Sequence, residues 1–136
     1  MGKIQGTVRV VSAELQRAGA WLITQRSAKA VLPLLWEFPG GRVREGETDQ
    51  QALARALEHR VGVRVEVHER VLEVRHDYPD YSVILAVYRC ELPAGQEPSA
   101  QNVQAVAWVT PDAFGDYPFP GADQRTIEAL LDVTEL

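Results

Sequence analysis

Between Gly41 and Val63 the chain reads GRVREGETDQQALARALEHRVGV, and no other segment constrains the fold as much. Thr48 followed by Gln51 has the form of a capping box, in which two residues close the first turn of a helix reciprocally. Gly41 and Gly46 allow a tight loop ahead of it. Ala52, Leu53, Leu57 and Val61 recur at helical spacing and predict a face turned toward a sheet. Gly62 stands where a helix ends in a left-handed cap. The spacing therefore predicts a helix from Thr48 to Val61, entered through a glycine loop and closed at Gly62. Positions 56, 59 and 60 share one face of such a helix. They are Ala56, His59 and Arg60. Glu58 lies about 100° around the helix from its neighbours.

The same segment resembles a Nudix box: Gly, five residues, Glu, seven residues, then Arg-Glu-aliphatic-x-Glu-Glu-x-Gly-aliphatic. Gly41, Glu47, Arg55, Leu57, Gly62 and Val63 fall on that outline without a gap. Upstream, Trp36-Glu37-Phe38-Pro39-Gly40-Gly41 is similar to the lead-in of MutT-like Nudix proteins. Leu22 to Arg26, Tyr78-Pro79-Asp80 with the strand after it, Trp108-Val109 and Phe119 to Asp123 carry the resemblance over roughly residues 3 to 131. It implies an α/β/α sandwich on a mixed β-sheet and a nucleoside triphosphate pyrophosphohydrolase type of ancestry. Glu47 and Arg55 resemble the family pair that ties the loop to the helix.

The resemblance also locates a departure. The family carries metal-binding glutamates at the positions of Ala56, His59 and Arg60. Carboxylate clusters of that kind suit hard ions such as magnesium or manganese. Ala56 offers no ligand, Arg60 brings a fixed positive charge, and a single His59 is not a site. A further family carboxylate, counted back from Trp108, falls near Gln101 or Asn102, both neutral. Glu47, Glu58 and His59 remain as weak metal candidates. The expectation is a Nudix shape without a resident cofactor. Magnesium or manganese enters only if carboxylates such as Glu37, Glu45, Glu47, Glu58 or Glu97 build a displaced site.

For a nucleotide, the resemblance points to Arg26 as a phosphate partner, Phe38 and Phe119 as rings flanking a base, and Asp123 as a reader of the base edge; Arg60, with Arg55 nearby, would take the place of the metal as a phosphate partner. Tyr81 stands near the base in relatives. Phe38 as loop packing and Asp123 as an N-cap are the competing readings. Three functions follow: a nucleotide-binding domain with impaired or lost hydrolysis, an active pyrophosphohydrolase with a displaced metal, or a non-catalytic protein-interaction subunit; the partners expected are a small-molecule nucleotide and, as an open alternative, a second copy in a homodimer.

Composition narrows the field. The 136 residues read as one domain, 1–136, large enough for a core. A net charge of −5 argues against grip on a nucleic-acid polymer. Cys90 is a lone cysteine in an apolar strand, so it reads as a core residue in a cytoplasmic protein. No apolar run approaches the ~20 residues of a membrane span. His68 and His76 read as lone strand histidines with surface or packing roles. Strands are expected at Ile4–Leu15, Trp21–Gln25, Val63–His76, Tyr81–Leu92 and Val103–Val109, and a last amphipathic helix at Ala122–Leu131.

Overall fold

The computed structural model describes residues 6–30 and 32–120. Strand β1 (Gly6–Arg17) turns through Ala18-Gly19 into β2 (Ala20–Gln25). Both turn residues have positive φ, 52° and 80°, as a two-residue hairpin turn requires. Two short strands follow, β3 (Trp36–Glu37) and β4 (Gly40–Arg42), then helix α1 (Asp49–Val61). The chain continues through β5 (Glu66–Asp77), β6 (Tyr81–Glu91), β7 (Ala105–Val109) and a 3₁₀ turn over Pro111–Asp116.

The strands form one mixed sheet in the order β3-β2-β1-β6-β5, with β4 on β1 and β7 on β2. The β1–β6 pair is parallel; β1–β2 and β5–β6 are antiparallel. Central β6 is the near-continuous apolar run expected of a strand flanked on both sides. Gly40 pairs with Ser12, and a Cβ built on it would stand 2.0 Å from the Val11 carbonyl oxygen. Only glycine lets β4 approach β1 that closely.

Helix α1 covers one sheet face. Ala52, Leu53, Leu57 and Val61 are fully buried, against Val11, Ala13, Leu15, Ala86, Tyr88 and Cys90 of β1 and β6. The expected second helical layer, Ala122–Leu131, lies outside the described residues, as does Asp123.

Three expectations shift. Strands β3 and β4 are too short for a periodic signal and are fixed by pairing to β2 and β1. Strand β5 begins at Glu66 rather than Val63, whose side chain is in the core while its backbone is outside the ladder. The alternation over Val71 to Val74 does not bury its apolar residues. Register shifts between Val67 and Leu72 leave Val71 43% and Leu72 51% exposed. No helix among the described residues is long and apolar enough to cross a membrane.

Candidate functional site

The loop into α1 is closed on itself. Arg55 donates from Nε to Glu47 Oε2 at 2.7 Å and from Nη2 to Glu47 Oε1 at 3.0 Å and to the Arg42 carbonyl at 3.0 Å. The Arg44 amide also donates to Glu47 Oε1, at 2.8 Å. The Arg55 fork, helped by the Arg44 amide, pulls the Glu47 carboxyl down to about 2. The capping box forms as the sequence predicts: Gln51 N donates to Thr48 Oγ1 and Thr48 N to Gln51 Oε1.

One residue further on, Asp49 fastens the helix start to the sheet. Arg9 of β1 grips it with two hydrogen bonds of 2.7 and 2.6 Å, and the Tyr88 hydroxyl of β6 donates to it at 2.5 Å. Arg9 also reaches Glu73 of β5 at 3.0 Å. These partners, Arg9 first, outweigh the desolvation of Asp49 and hold its carboxyl below the usual range. Nothing in sequence spacing links residues 9, 49, 73 and 88; only the sheet register brings them together.

The far end of α1 is closed differently. Gly62 takes φ 72° and its N–H donates to the Glu58 carbonyl. The segment after Pro98 then caps the last carbonyls. Ser99 N donates to Val61 O at 3.0 Å, and Gln101 N and Asn102 N to Arg60 O at 3.1 and 3.2 Å. Asn102 Nδ2 adds a 2.7 Å bond to His59 O. The counting that placed a family carboxylate near Gln101 or Asn102 thus reaches the helix end, and it finds amides. An amide can donate to those carbonyls, whereas a carboxylate would face them without a proton to give.

The three positions that share a helical face do not present one open patch. Ala56 is buried, and a Cβ on Gly41 would stand 3.3 Å from its methyl. His59 is exposed, and Arg60 is half-buried with an internal partner. An open cleft runs beside them, lined by Ala54, Arg55, Glu58, His59, Gln101 and Asn102. His59 and Arg60 are the basic residues of the last turn, where positive charge complements the helix dipole.

This donor set does not fit a hard dication. Glu47 is held by Arg55, Glu58 is exposed 3.8 Å from Arg64, and among the described residues His59 belongs to no group of three ligand-type side chains. The displaced-site carboxylates are scattered. Glu37 faces Arg26 at 3.5 Å, and Glu97 faces Arg17 at 2.8 Å. Among the described residues, no three carboxylate or histidine ligands gather on this side of the sheet.

Among the described nucleotide candidates, Tyr81 lies apart from the aromatic rings. Phe38 and Phe119 touch each other, ring centroids 5.5 Å apart, so they form a wall rather than the two sides of a slot. Trp21 and Phe114 complete that wall, at 5.8 and 5.9 Å from Phe38. Neither was singled out in the sequence, because they come from β2 and the 3₁₀ turn with no common motif. Arg26 is buried, donating to Leu32 O at 3.3 Å and pairing with Glu37. Tyr81 is buried with Val8 and Val83, beside Tyr78 at the Gly6 end of β1. The aromatic wall is near the other end, where Trp21 pairs with Gln16. Cys90 is buried, and desolvation raises its thiol to about 12, which fits a packing role.

A NUDIX domain model matches residues 10–129. The chain is similar to the CTP pyrophosphohydrolase of Escherichia coli (strain K12), 32% identical over 124 residues, covering 91% of this chain and 91% of that protein. It is also similar to the 8-oxo-dGTP diphosphatase of Haemophilus influenzae, 34% identical over 119 residues, with 85% of each chain covered. Among solved structures, the E. coli ORF135 protein superposes with TM-score 0.69 at 29% identity, covering 98% of this chain and 96% of that one. The MutT protein of Methanosarcina mazei Go1 shares the fold, with TM-score 0.70 at 20% identity and 88% of each chain covered.

Proposed function

The chain belongs to the NUDIX family, and from that premise we propose that it binds a nucleoside phosphate while turning it over far more slowly than a family member with the full set of helix glutamates. The donor set on the last two turns of α1 carries this reading: buried Ala56, exposed His59 beside Asn102, and half-buried Arg60. A base would stack on the outer side of the wall made by Trp21, Phe38, Phe114 and Phe119. Asp123 would read its edge, and phosphate oxygens would meet Arg60.

The chemistry of Arg60 favours binding over hydrolysis. A guanidinium offers phosphate a planar fork of donors and keeps its charge at every working pH. It cannot take a proton from water, and it cannot acidify a water as a bound dication does. Glu47, the carboxylate nearest to the family outline, is committed to Arg55.

The names of the relatives favour a second reading. Proteins at 32% and 34% identity over most of this chain are a CTP pyrophosphohydrolase and an 8-oxo-dGTP diphosphatase. On that reading this chain also hydrolyses a nucleoside triphosphate with magnesium or manganese, using carboxylates that move together on binding.

Two measurements on the same protein divide the readings. Thermal-shift titration with nucleoside mono-, di- and triphosphates should raise the melting temperature, since a ligand bound only by the folded state stabilises it. Pyrophosphate release with magnesium or manganese in excess should stay near background. Fast metal-dependent release selects the second reading, and no shift with any nucleotide removes the first.

A further inference from the structure

The sheet face turned away from α1 carries a second group of ligand-type side chains. Glu66 of β5 pairs directly with Glu91 of β6. Opposed carboxylates at such a pair repel each other. His68 lies two residues along β5, hence on the same face as Glu66. Val67 between them packs into the core under α1, which fixes Glu66 and His68 on the opposite side.

One ligand atom from each of Glu66, His68 and Glu91 lies within 4.8 Å of the other two. His68 Nε2 is 3.6 Å from Glu91 Oε1, beyond hydrogen-bond length. That nitrogen is buried and makes no hydrogen bond. Two carboxylates, of which Glu91 also pairs with Arg89, and a nitrogen without a hydrogen bond therefore converge on one point, where a cation would be shared by all three.

The surroundings agree. Arg89 donates to Glu91 Oε1 and to Glu69 Oε2, each at 2.8 Å, so it holds Glu91 in place from outside, as outer partners of metal ligands do. Glu14 of β1 is in register with Arg89. Carboxylates thus outnumber the arginine at this end of the face.

We propose that Glu66, His68 and Glu91 form a binding site for a divalent cation of the zinc class, bridging the start of β5 to the end of β6. One imidazole with two carboxylates leaves a fourth position for water, a pattern zinc accepts. Magnesium and calcium prefer shells made wholly of oxygen. Bond lengths of about 2.0–2.2 Å require the ligand atoms to draw closer. Both glutamates are exposed, so rotation about their side-chain bonds achieves this while the strand register stays fixed.

The test is a calorimetric titration of zinc chloride into the full chain at neutral pH in a weakly coordinating buffer. One equivalent of zinc should bind, and the His68 ring signals in NMR should move while those of His59 and His76 stay. His68→Ala should weaken binding by at least about tenfold, and so should Glu66→Gln, which tests the site should the alanine variant fold poorly. His76→Ala should change nothing. Magnesium at the same concentration should give no heat. Absence of zinc binding up to millimolar concentration overturns the proposal, as does binding that survives His68→Ala unweakened. Either result leaves the nucleotide reading of the other face untouched.

Discussion

The two ends of helix α1 are held by different means. At its start two carboxylates are tied to protein partners: Glu47 to Arg55 and the Arg44 amide, and Asp49 to Arg9 and Tyr88. Its end is closed by neutral backbone and amide donors from residues 99–102, with basic His59 and Arg60 in the last turn. A glutamate set at that end would oppose the helix dipole and need a cation to offset the repulsion. The contrast teaches that the two ends of one helix are fixed independently, the start by ion pairs and the end by neutral donors.

The sharpest test of the start is Asp49→Ala. It leaves Tyr88 without its acceptor and Arg9 half-paired in a mostly buried place, so urea unfolding should show a loss of about 2–3 kcal/mol. An effect below that of a surface alanine would mean that the network does not anchor the helix.

Arg55→Ala should cost less, because Glu47 keeps the Arg44 amide. Its signature lies in acid. A carboxyl lowered from 4.5 to about 2 gives stability that is fully present above the unfolded value and lost as pH falls through the folded one. Wild-type stability should therefore decline from about pH 4.5 toward pH 2, with Asp49 adding to the slope. In Arg55→Ala the Glu47 share of that slope should shrink to what the Arg44 amide sustains. Identical acid profiles would show that the pair does not persist in solution.

At the other end, Ala56→Glu, His59→Glu and Arg60→Glu together should lower stability by about 2 kcal/mol without metal, from a carboxylate at buried Ala56 and from like charges at a helix C-terminus. Millimolar magnesium should restore it by mass action and leave the wild type unmoved. Metal binding measured by calorimetry should appear only in the triple variant, and the single Arg60→Glu change should recover little, since ligand sets act as a unit. Equal magnesium stabilisation of wild type and variant would erase the contrast between the two ends.

The smallest expected change is Asn102→Asp. It replaces a donor to the His59 carbonyl by a carboxylate, and should cost about 1 kcal/mol near neutral pH. Recovery of that loss on protonation at low pH would identify the repulsion as its cause.

What the sequence disclosed follows the range of its interactions. The helix, its cap, its Gly62 stop and the Glu47–Arg55 pair lie within 16 consecutive positions, so spacing and family likeness reached them. The buried face of α1 followed from a helical period, and central β6 from an apolar run. The Arg9–Asp49–Tyr88 network did not, because its members are 40 and 39 residues apart and meet only through strand order. His68 read as a lone histidine because Glu91 joins it and Glu66 only through the register of the β5–β6 hairpin. Family likeness points to Phe38 and Phe119 as rings flanking a base, but their contact with each other and with Trp21 and Phe114 comes from the fold.

The closure of α1 also orders events in time. Asn102 and the His59 carbonyl it binds are 43 residues apart in sequence. The helix start can find Thr48 and Gln51 within the first turn, but the last carbonyls must wait for residues 99–102 to be made and delivered. A chain still on the ribosome with residue 98 just emerged would carry a helix seeded at one end and frayed at the other. Because loop closure over such a distance is slow relative to a helical turn, the amides of Ser99, Gln101 and Asn102 should gain protection from hydrogen exchange late in refolding.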